Sequence, residues 1–273
     1  MTEGPLVSVL MTSYNREDYI GFAIESVITS SYQNWELVIV DDCSVDKTVD
    51  IARQYATQDT RIRVYLNERN LGDYPNRNKA AEYANGKYIL YLDADDALYY
   101  FGLEVAVKFT ERFPEAGFGL GAYPDDDQIF PILVHPREIY LEHFYKYHHF
   151  DRAPGSGLIK LEAFRQVGGF SGKRMIGDNE FWFKISMYFS MVKLPIDLYW
   201  NRLHPGQESQ SQYAQRNYIR LRAEIQKNAL LHPDCPLLKE DKIRLKYYLK
   251  RARIREDVFA GLSRFKKFIS FSS

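Results

Sequence analysis

Three polar clusters stand out in the first hundred residues: Thr12-Ser13-Tyr14-Asn15-Arg16, Asp41-Asp42-Cys43-Ser44 and Asp93-Ala94-Asp95-Asp96. Each directly follows a short apolar run. Asp93, Asp95 and Asp96 offer hard oxygen ligands at alternate and adjacent positions, a donor set suited to Mg²⁺ or Mn²⁺. A cation held there can neutralise the charge that builds on a departing diphosphate. The plainer alternative is a solvated acidic turn that caps a helix expected over Leu98–Phe113. A chain selected for stability alone would not gather so many carboxylates, because like charges repel and raise one another's pKa.

The elements that must position these residues are legible as a repeat. Apolar runs at Leu6–Met11, Glu36–Val40, Ile62–Leu66 and Tyr88–Leu92 read as buried parallel strands. Helical stretches at Glu17–Ser30, Asp46–Ala56 and Asn76–Ala84 alternate with them. This predicts an α/β fold, a mostly parallel Rossmann-like sheet flanked by helices with right-handed crossovers. Ligands in such sheets sit beyond the carboxyl ends of the strands, where all three polar clusters fall.

Beyond Ala116 the pattern loosens. Gly117–Ala122 and Gly155–Lys160 read as strands, Arg137–Tyr147 and Asp178–Phe189 as helices, and Met191–Tyr199 as a return to the sheet. Helices are expected over Gln210–Leu231 and Lys239–Val258, with Pro124–Asp127 as a polar loop. A boundary near Gly206 divides residues 1–205 from a helical, basic extension at 206–273.

Composition narrows the class. The 273 residues are 45% hydrophobic and 26% charged, as expected of a globular chain. Two cysteines, Cys43 and Cys235, match no metal or redox spacing, which suits a reducing compartment. No signal peptide and no run of 18 apolar residues is evident, so a cytoplasmic location is expected. The zero net charge hides an asymmetry: from Lys239 onward eleven basic residues stand against four acidic ones, leaving an acidic body. That argues against nucleic-acid binding by the body. The basic tail, interleaved with Phe, Ile and Leu, suits either a solvated helical face or peripheral contact with the inner, anionic face of a membrane.

The ordered set Val7–Arg16, Val40-Asp41-Asp42-Cys43-Ser44, Asn70-Leu71-Gly72 and Asp93-Ala94-Asp95-Asp96 resembles family 2 of the inverting glycosyltransferases, which have the GT-A fold. The likeness is clear over about residues 5 to 100 and weaker to about 205. It implies transfer of a sugar from a nucleotide diphosphate sugar to a saccharide or lipid-linked acceptor, with Mn²⁺ or Mg²⁺ as cofactor.

What the resemblance implies residue by residue has a chemical counterpart in each case. Thr12 and Tyr14 fall where the nucleoside binds. Asp42 falls where a carboxylate accepts the uracil N3–H, which favours a UDP-linked donor, though thymidine offers the same donor group. Its local alternative is an Asx turn or helix cap, which Asp41, Ser44 and Asp46 can supply instead. Arg77 falls where a guanidinium fork reaches the donor phosphates, alongside Asp93 and Asp95. Asp178, in Gly177-Asp178-Asn179-Glu180-Phe181-Trp182, falls at the position of the base that takes the acceptor proton, with Glu180 as runner-up. Trp182 either floors the sugar site or fills the core. His204, in a late Asn201-Arg202-Leu203-His204 segment, falls where a His completes the metal shell with Asp95 and Asp96. His143, His148 and His149 match no ligand spacing and read as surface residues.

Two other functions fit part of the pattern. A sugar nucleotidyltransferase usually carries a Gly-rich loop after its first strand, whereas Thr12–Arg16 has no Gly; no G-x-G-x-x-G follows any strand, which disfavours a dehydrogenase. A non-catalytic nucleotide-sugar-binding protein would keep Thr12, Asp42 and the acidic run but would not need Asp178.

Overall fold

The computed structural model describes residues 4–121, 131–204, 207 and 211–250. The expected polar loop at Pro124–Asp127 and the tail beyond residue 250 lie outside these residues. Eight strands form one mixed sheet in the order β3-β2-β1-β4-β8-β6-β9-β7: β1 Val7–Ser13, β2 Trp35–Asp41, β3 Ile62–Leu66, β4 Tyr88–Tyr91, β6 Ala116–Gly121, β7 Ile132–Val134, β8 Gly157–Lys160 and β9 Ser190–Leu194. The first four strands are parallel. Beyond them β8 runs antiparallel to both β4 and β6, and β7 antiparallel to β9. The fold is α/β as expected, with antiparallel pairing confined to the second half.

Alternation along the strands explains how both faces are filled. Val7, Val9 and Met11 of β1, with Leu37 and Ile39 of β2, pack on one face against α1 (Ile20–Ile28), α2 (Thr48–Gln58) and α4 (Gly102–Thr110). Leu10 of β1, with Val38 and Val40 of β2, packs on the other against α3 (Asp73–Glu82), α5 (Pro136–Glu142), α6 (Leu161–Gln166), α7 (Gly177–Tyr188) and α8 (Gln212–Leu231). Ile225 and Ala229 of α8, with Leu237 and Leu245, share this second cluster with Phe183 and Ile139. Residues 239–250 form a further helix, α9.

Three local devices decide what reaches the carboxyl ends of the parallel strands. α3 begins at Asp73, three residues earlier than its apolar pattern suggests, because Gly72 takes φ 85° and Pro75 is tolerated in a first helical turn. The helix expected from Leu98 starts only at Gly102, because Ala97–Leu98 form a short strand, β5. β5 pairs antiparallel with Tyr199–Trp200 (β10), with Trp200 opposite Ala97. The expected return of Met191–Tyr199 to the sheet is therefore split: β9 ends at Leu194, and β10 forms a ribbon of its own with β5.

Candidate active site

The β5–β10 ribbon carries the segment after Trp200 onto the acidic run. Asp96 Oδ1 accepts the Arg202 backbone N–H at 3.0 Å, and the Asp95 carbonyl accepts Arg202 Nε at 3.0 Å. His204 Nε2 comes to 2.9 Å from Asp95 Oδ2, while the Tyr19 ring lies 4.8 Å from the imidazole. Arg16 Nε donates to the same Asp95 oxygen at 2.8 Å. The acidic run is thus no helix cap: residues 97–98 are strand, and the carboxylates turn inward.

Oxygens of Asp93, Asp95 and Asp96 lie within 4.8 Å of one another, close enough to share one cation. Asp95 and Asp96 are buried. Burial first, then the charge of Asp93, pushes the Asp96 carboxyl up to about 7, which marks a group short of positive charge. Oxygen donors and a neighbouring imidazole fit Mg²⁺ or Mn²⁺, and the imidazole leans the set toward Mn²⁺.

Arg77, buried on α3, bridges this cluster to the next. Its Nη2 pairs with Asp93 at 2.7 Å and its Nε with Asp73 at 2.7 Å, while its Nη1 has no hydrogen-bond partner among the described residues. A buried guanidinium with an unspent donor beside a cluster of acids suits a bound phosphate oxygen. Burial alone would lower its pKa; Asp73 and Asp93 reverse that and hold the cation charged.

Asp178 enters from the opposite side, at the start of α7. Its Oδ1 accepts the Asn179 N–H at 2.7 Å, and the Tyr74 hydroxyl bonds the carboxylate. The close approach needs Gly177, since a Cβ there would lie 2.7 Å from the Tyr74 ring. Burial raises the Asp178 carboxyl to about 6 and Asp73 adds to the rise, against the opposing effects of the Asn179 and Tyr74 bonds and of Arg77. Asp73 and Arg77 thus act on both the acidic triad and Asp178, placing the two groups in one electrostatic neighbourhood.

The carboxylate of Asp42 does a job that neither of its expected roles describes. Oδ1 accepts from the Leu71 N–H at 2.8 Å and from Asn67 Nδ2 at 2.7 Å, and Oδ2 accepts the Gly72 N–H at 2.8 Å. Asp42 therefore pins the loop that starts α3 and so helps place Arg77. The local turn is satisfied by Asp41, which accepts from Ser44 N–H and Oγ, and by Asp46, which accepts from Thr48. Tyr14 is 48% exposed at the rim, and Thr12 is half-buried at the end of β1.

The structure also places Glu180, Trp182 and the three neighbouring histidines. Glu180, the runner-up for the base, stands two residues further along α7, where it pairs with Lys173 Nζ at 2.6 Å and lines a separate groove of about 360 Å³ between α7 and α8. Trp182 is core, fully buried with its Nε1 donating to the Arg152 carbonyl at 2.7 Å. His143 and His149 are not surface residues. α5 runs on into a wide π-helical turn, His143–Tyr147, which drives the His143 ring against Phe150 at 4.3 Å, while His149 Nε2 meets Glu142 at 2.8 Å. Burial pushes both imidazoles below the ordinary range. His148 is exposed, as expected.

Residues that the sequence pattern missed include Asp73, Tyr74, Asn67 and Arg202. Only Asp73 carried a signal: it lies four residues before Arg77, a spacing at which helical side chains meet.

With the geometry described, comparison with known proteins places the chain. The model of Glycosyl transferase family 2 matches residues 8–168, more than half of the chain. The chain belongs to glycosyl transferase family 2. Among its relatives, TuaG of Bacillus subtilis (strain 168), named for teichuronic acid biosynthesis, is 48% identical over 122 residues, 43% of this chain and 48% of that protein. Escherichia coli WfgD, named as a UDP-Glc:alpha-D-GlcNAc-diphosphoundecaprenol beta-1,3-glucosyltransferase, is 43% identical over 91 residues, 33% of this chain and 35% of that protein. The chain thus spans half or less of the length of these relatives. S. aureus TarS 1-349, solved in complex with UDP-GlcNAc, superposes with a TM-score of 0.70 at 20% identity, over 88% of this chain and 70% of that one. That likeness shows the fold alone.

Proposed function

We propose that this family 2 chain is an inverting glycosyltransferase that moves a sugar from a nucleotide diphosphate sugar, with uridine as the base, to a saccharide or lipid-linked saccharide. The observation that carries the reading is the placing of Arg77, with its unspent Nη1, between the acidic triad and Asp178. The donor diphosphate lies on the Arg77 side of the acidic triad, and the nucleoside runs toward Thr12, Tyr14 and the Asp42 loop. Asp95, Asp96 and His204 hold Mn²⁺ or Mg²⁺, with Asp93 held back by Arg77. When bound, that cation neutralises charge on the leaving diphosphate. Arg16 and His204 meet at the same Asp95 oxygen, so His204 already stands where it would complete the donor set, and Arg16 is close enough to face the phosphates.

Asp178 performs the proton transfer. The acceptor hydroxyl oxygen bonds to the anomeric carbon from the face opposite the diphosphate. The bond from that carbon to the phosphate oxygen breaks, and the hydroxyl proton passes to the Asp178 carboxylate. A carboxyl pushed up to about 6 is ionised at neutral pH yet basic enough to take a proton in the transition state.

The activity named for WfgD and the UDP-GlcNAc bound to TarS support a UDP-linked donor, and WfgD's diphosphoundecaprenol acceptor supports a lipid-linked one. Among the described residues no helix is long and apolar enough to cross a membrane. The enzyme belongs in the cytoplasm, with residues 1–205 as the catalytic unit and the basic extension at 206–273 as the segment suited to peripheral contact with the inner membrane face. A thermal-shift panel of UDP, GDP, UDP-glucose and UDP-GlcNAc, with and without Mn²⁺, tests the reading. Metal-dependent stabilisation by the uridine compounds is expected. Its absence for every compound would reject the function, and a preference for GDP would reject the base.

A further inference from the structure

α8 lies beyond the residues that match the family model, yet it reaches the helix that carries Asp178. Arg222 of α8 pairs through Nη2 with Asp151 Oδ2. The other Asp151 oxygen accepts from Asn179 Nδ2 at 3.1 Å, and the same nitrogen donates to the Phe150 carbonyl at 2.7 Å. Asn179 is fully buried and immediately follows Asp178, whose carboxylate takes its backbone N–H. One residue thus joins the base on one side to the Asp151–Arg222 pair on the other.

Tyr218, one turn before Arg222, reports how close these groups stand. Burial raises its hydroxyl pKa first, the charges of Asp151 and Asp178 add to the rise, and Arg222 opposes it. Two atoms of this link, Asn179 Oδ1 and Arg222 Nε, are buried without hydrogen-bond partners among the described residues. Such groups cost stability, and a link selected only to hold α8 in place would not keep both.

We propose that Arg222, acting through Asp151 and Asn179, is a positioning residue for Asp178, so that α8 forms part of the acceptor half of the site. The inference rests on the reading of Asp178 as the base. Among the described residues, Asp73, Tyr74 and Arg77 of α3 act on Asp178 and Tyr218 of α8 feels its charge, while Asp151, from the segment before β8, and its partner Arg222 of α8 reach it through Asn179. Removing the Arg222 cation leaves the Asp151 charge beside Asn179 uncompensated, which favours the protonated base and moves the acidic limb of the rate profile to higher pH.

The test uses the full chain with Mn²⁺ and UDP-GlcNAc or UDP-glucose, following UDP release as a function of pH, alongside calorimetric affinity for UDP. Arg222→Met is expected to lower kcat by about tenfold to hundredfold through misplacement of the base. Its acidic limb should shift upward, with UDP affinity within about twofold of the parent, since the nucleotide lies at the other end of the site. Arg222→Lys keeps the charge and should restore the limb. An unmoved limb in Arg222→Met, or equal losses in both variants, would overturn the proposal, as would a loss that tracks UDP affinity. Asp178→Asn, run in parallel, separates the two levels of inference. If it is inactive while Arg222→Met behaves like the parent, only the positioning role fails; if it turns over normally, the base assignment fails and takes the positioning role with it.

Discussion

Asp178→Asn should remove activity and add stability, and the two effects have one cause. Burial holds the Asp178 carboxyl at about 6, against 3.8 for an ordinary aspartate. Between about pH 4 and pH 6 the native state therefore binds a proton that the unfolded chain has released. Stability falls as pH rises through that window, and the cost is fully present above it. A shift of about two units corresponds to at most ~3 kcal/mol, and partial solvent exposure of the group reduces this to about 1–2 kcal/mol. Asn keeps an acceptor for the Asn179 N–H but carries no charge. At pH 8 the variant should melt roughly 2–8 °C higher, at about 2–4 °C per kcal/mol for a chain of this size. At pH 4 the gap should close. Turnover should drop about 10²–10⁴-fold, with UDP affinity nearly unchanged. Scanning calorimetry at pH 4, 6 and 8, together with UDP-release kinetics, covers both halves. A stability gain that persists at pH 4, or a variant less stable than the parent at pH 8, would refute burial as the origin of the shift; retained turnover would place the base elsewhere.

Other expectations follow from the same geometry. In the parent, kcat should fall about tenfold per unit below pH 6, as Asp178 protonates. Gly177→Ala drives a Cβ to 2.7 Å from the Tyr74 ring, so kinetics should show lost kcat with UDP affinity retained. Asp96→Asn removes a carboxylate held at about 7: without metal the variant should melt higher than the parent at pH 8, and the gain in melting temperature from UDP with Mn²⁺ should vanish in both calorimetry and thermal shift. EDTA should abolish that gain in the parent. Glu180→Gln, which alters the Lys173 and Ser171 contacts at a separate groove, should leave kcat within about twofold.

How much of this site could be read from the chain depended on whether the signal was local. The strand ends that carry Thr12, Asp42 and Asp93 were legible because an apolar run followed by polar residues is a short-range pattern, and the two faces of the sheet then follow from alternation. The start of α4 was misplaced because Ala97–Leu98 are strand only through Tyr199–Trp200, a pairing no local propensity encodes. The histidines at 143 and 149 were misread for a similar reason: a π-helical turn buries them, and helical periodicity does not anticipate it. Glu180 and Trp182 were ambiguous until the helix phase was fixed by Gly177 packing on Tyr74.

The sequence by itself determined the fold class, the family likeness and the carboxylates that could do chemistry, since these rest on residue type, order and periodicity. Tertiary structure decided what those carboxylates face. It brought His204 to Asp95 across 109 residues, set Arg77 between Asp73 and Asp93, and turned Asp42 to hold the loop ahead of α3. It also put Asp178 where burial raises its pKa. Desolvation and charge pairing depend on neighbours distant along the chain, so their strength is a property of the folded site rather than of any motif.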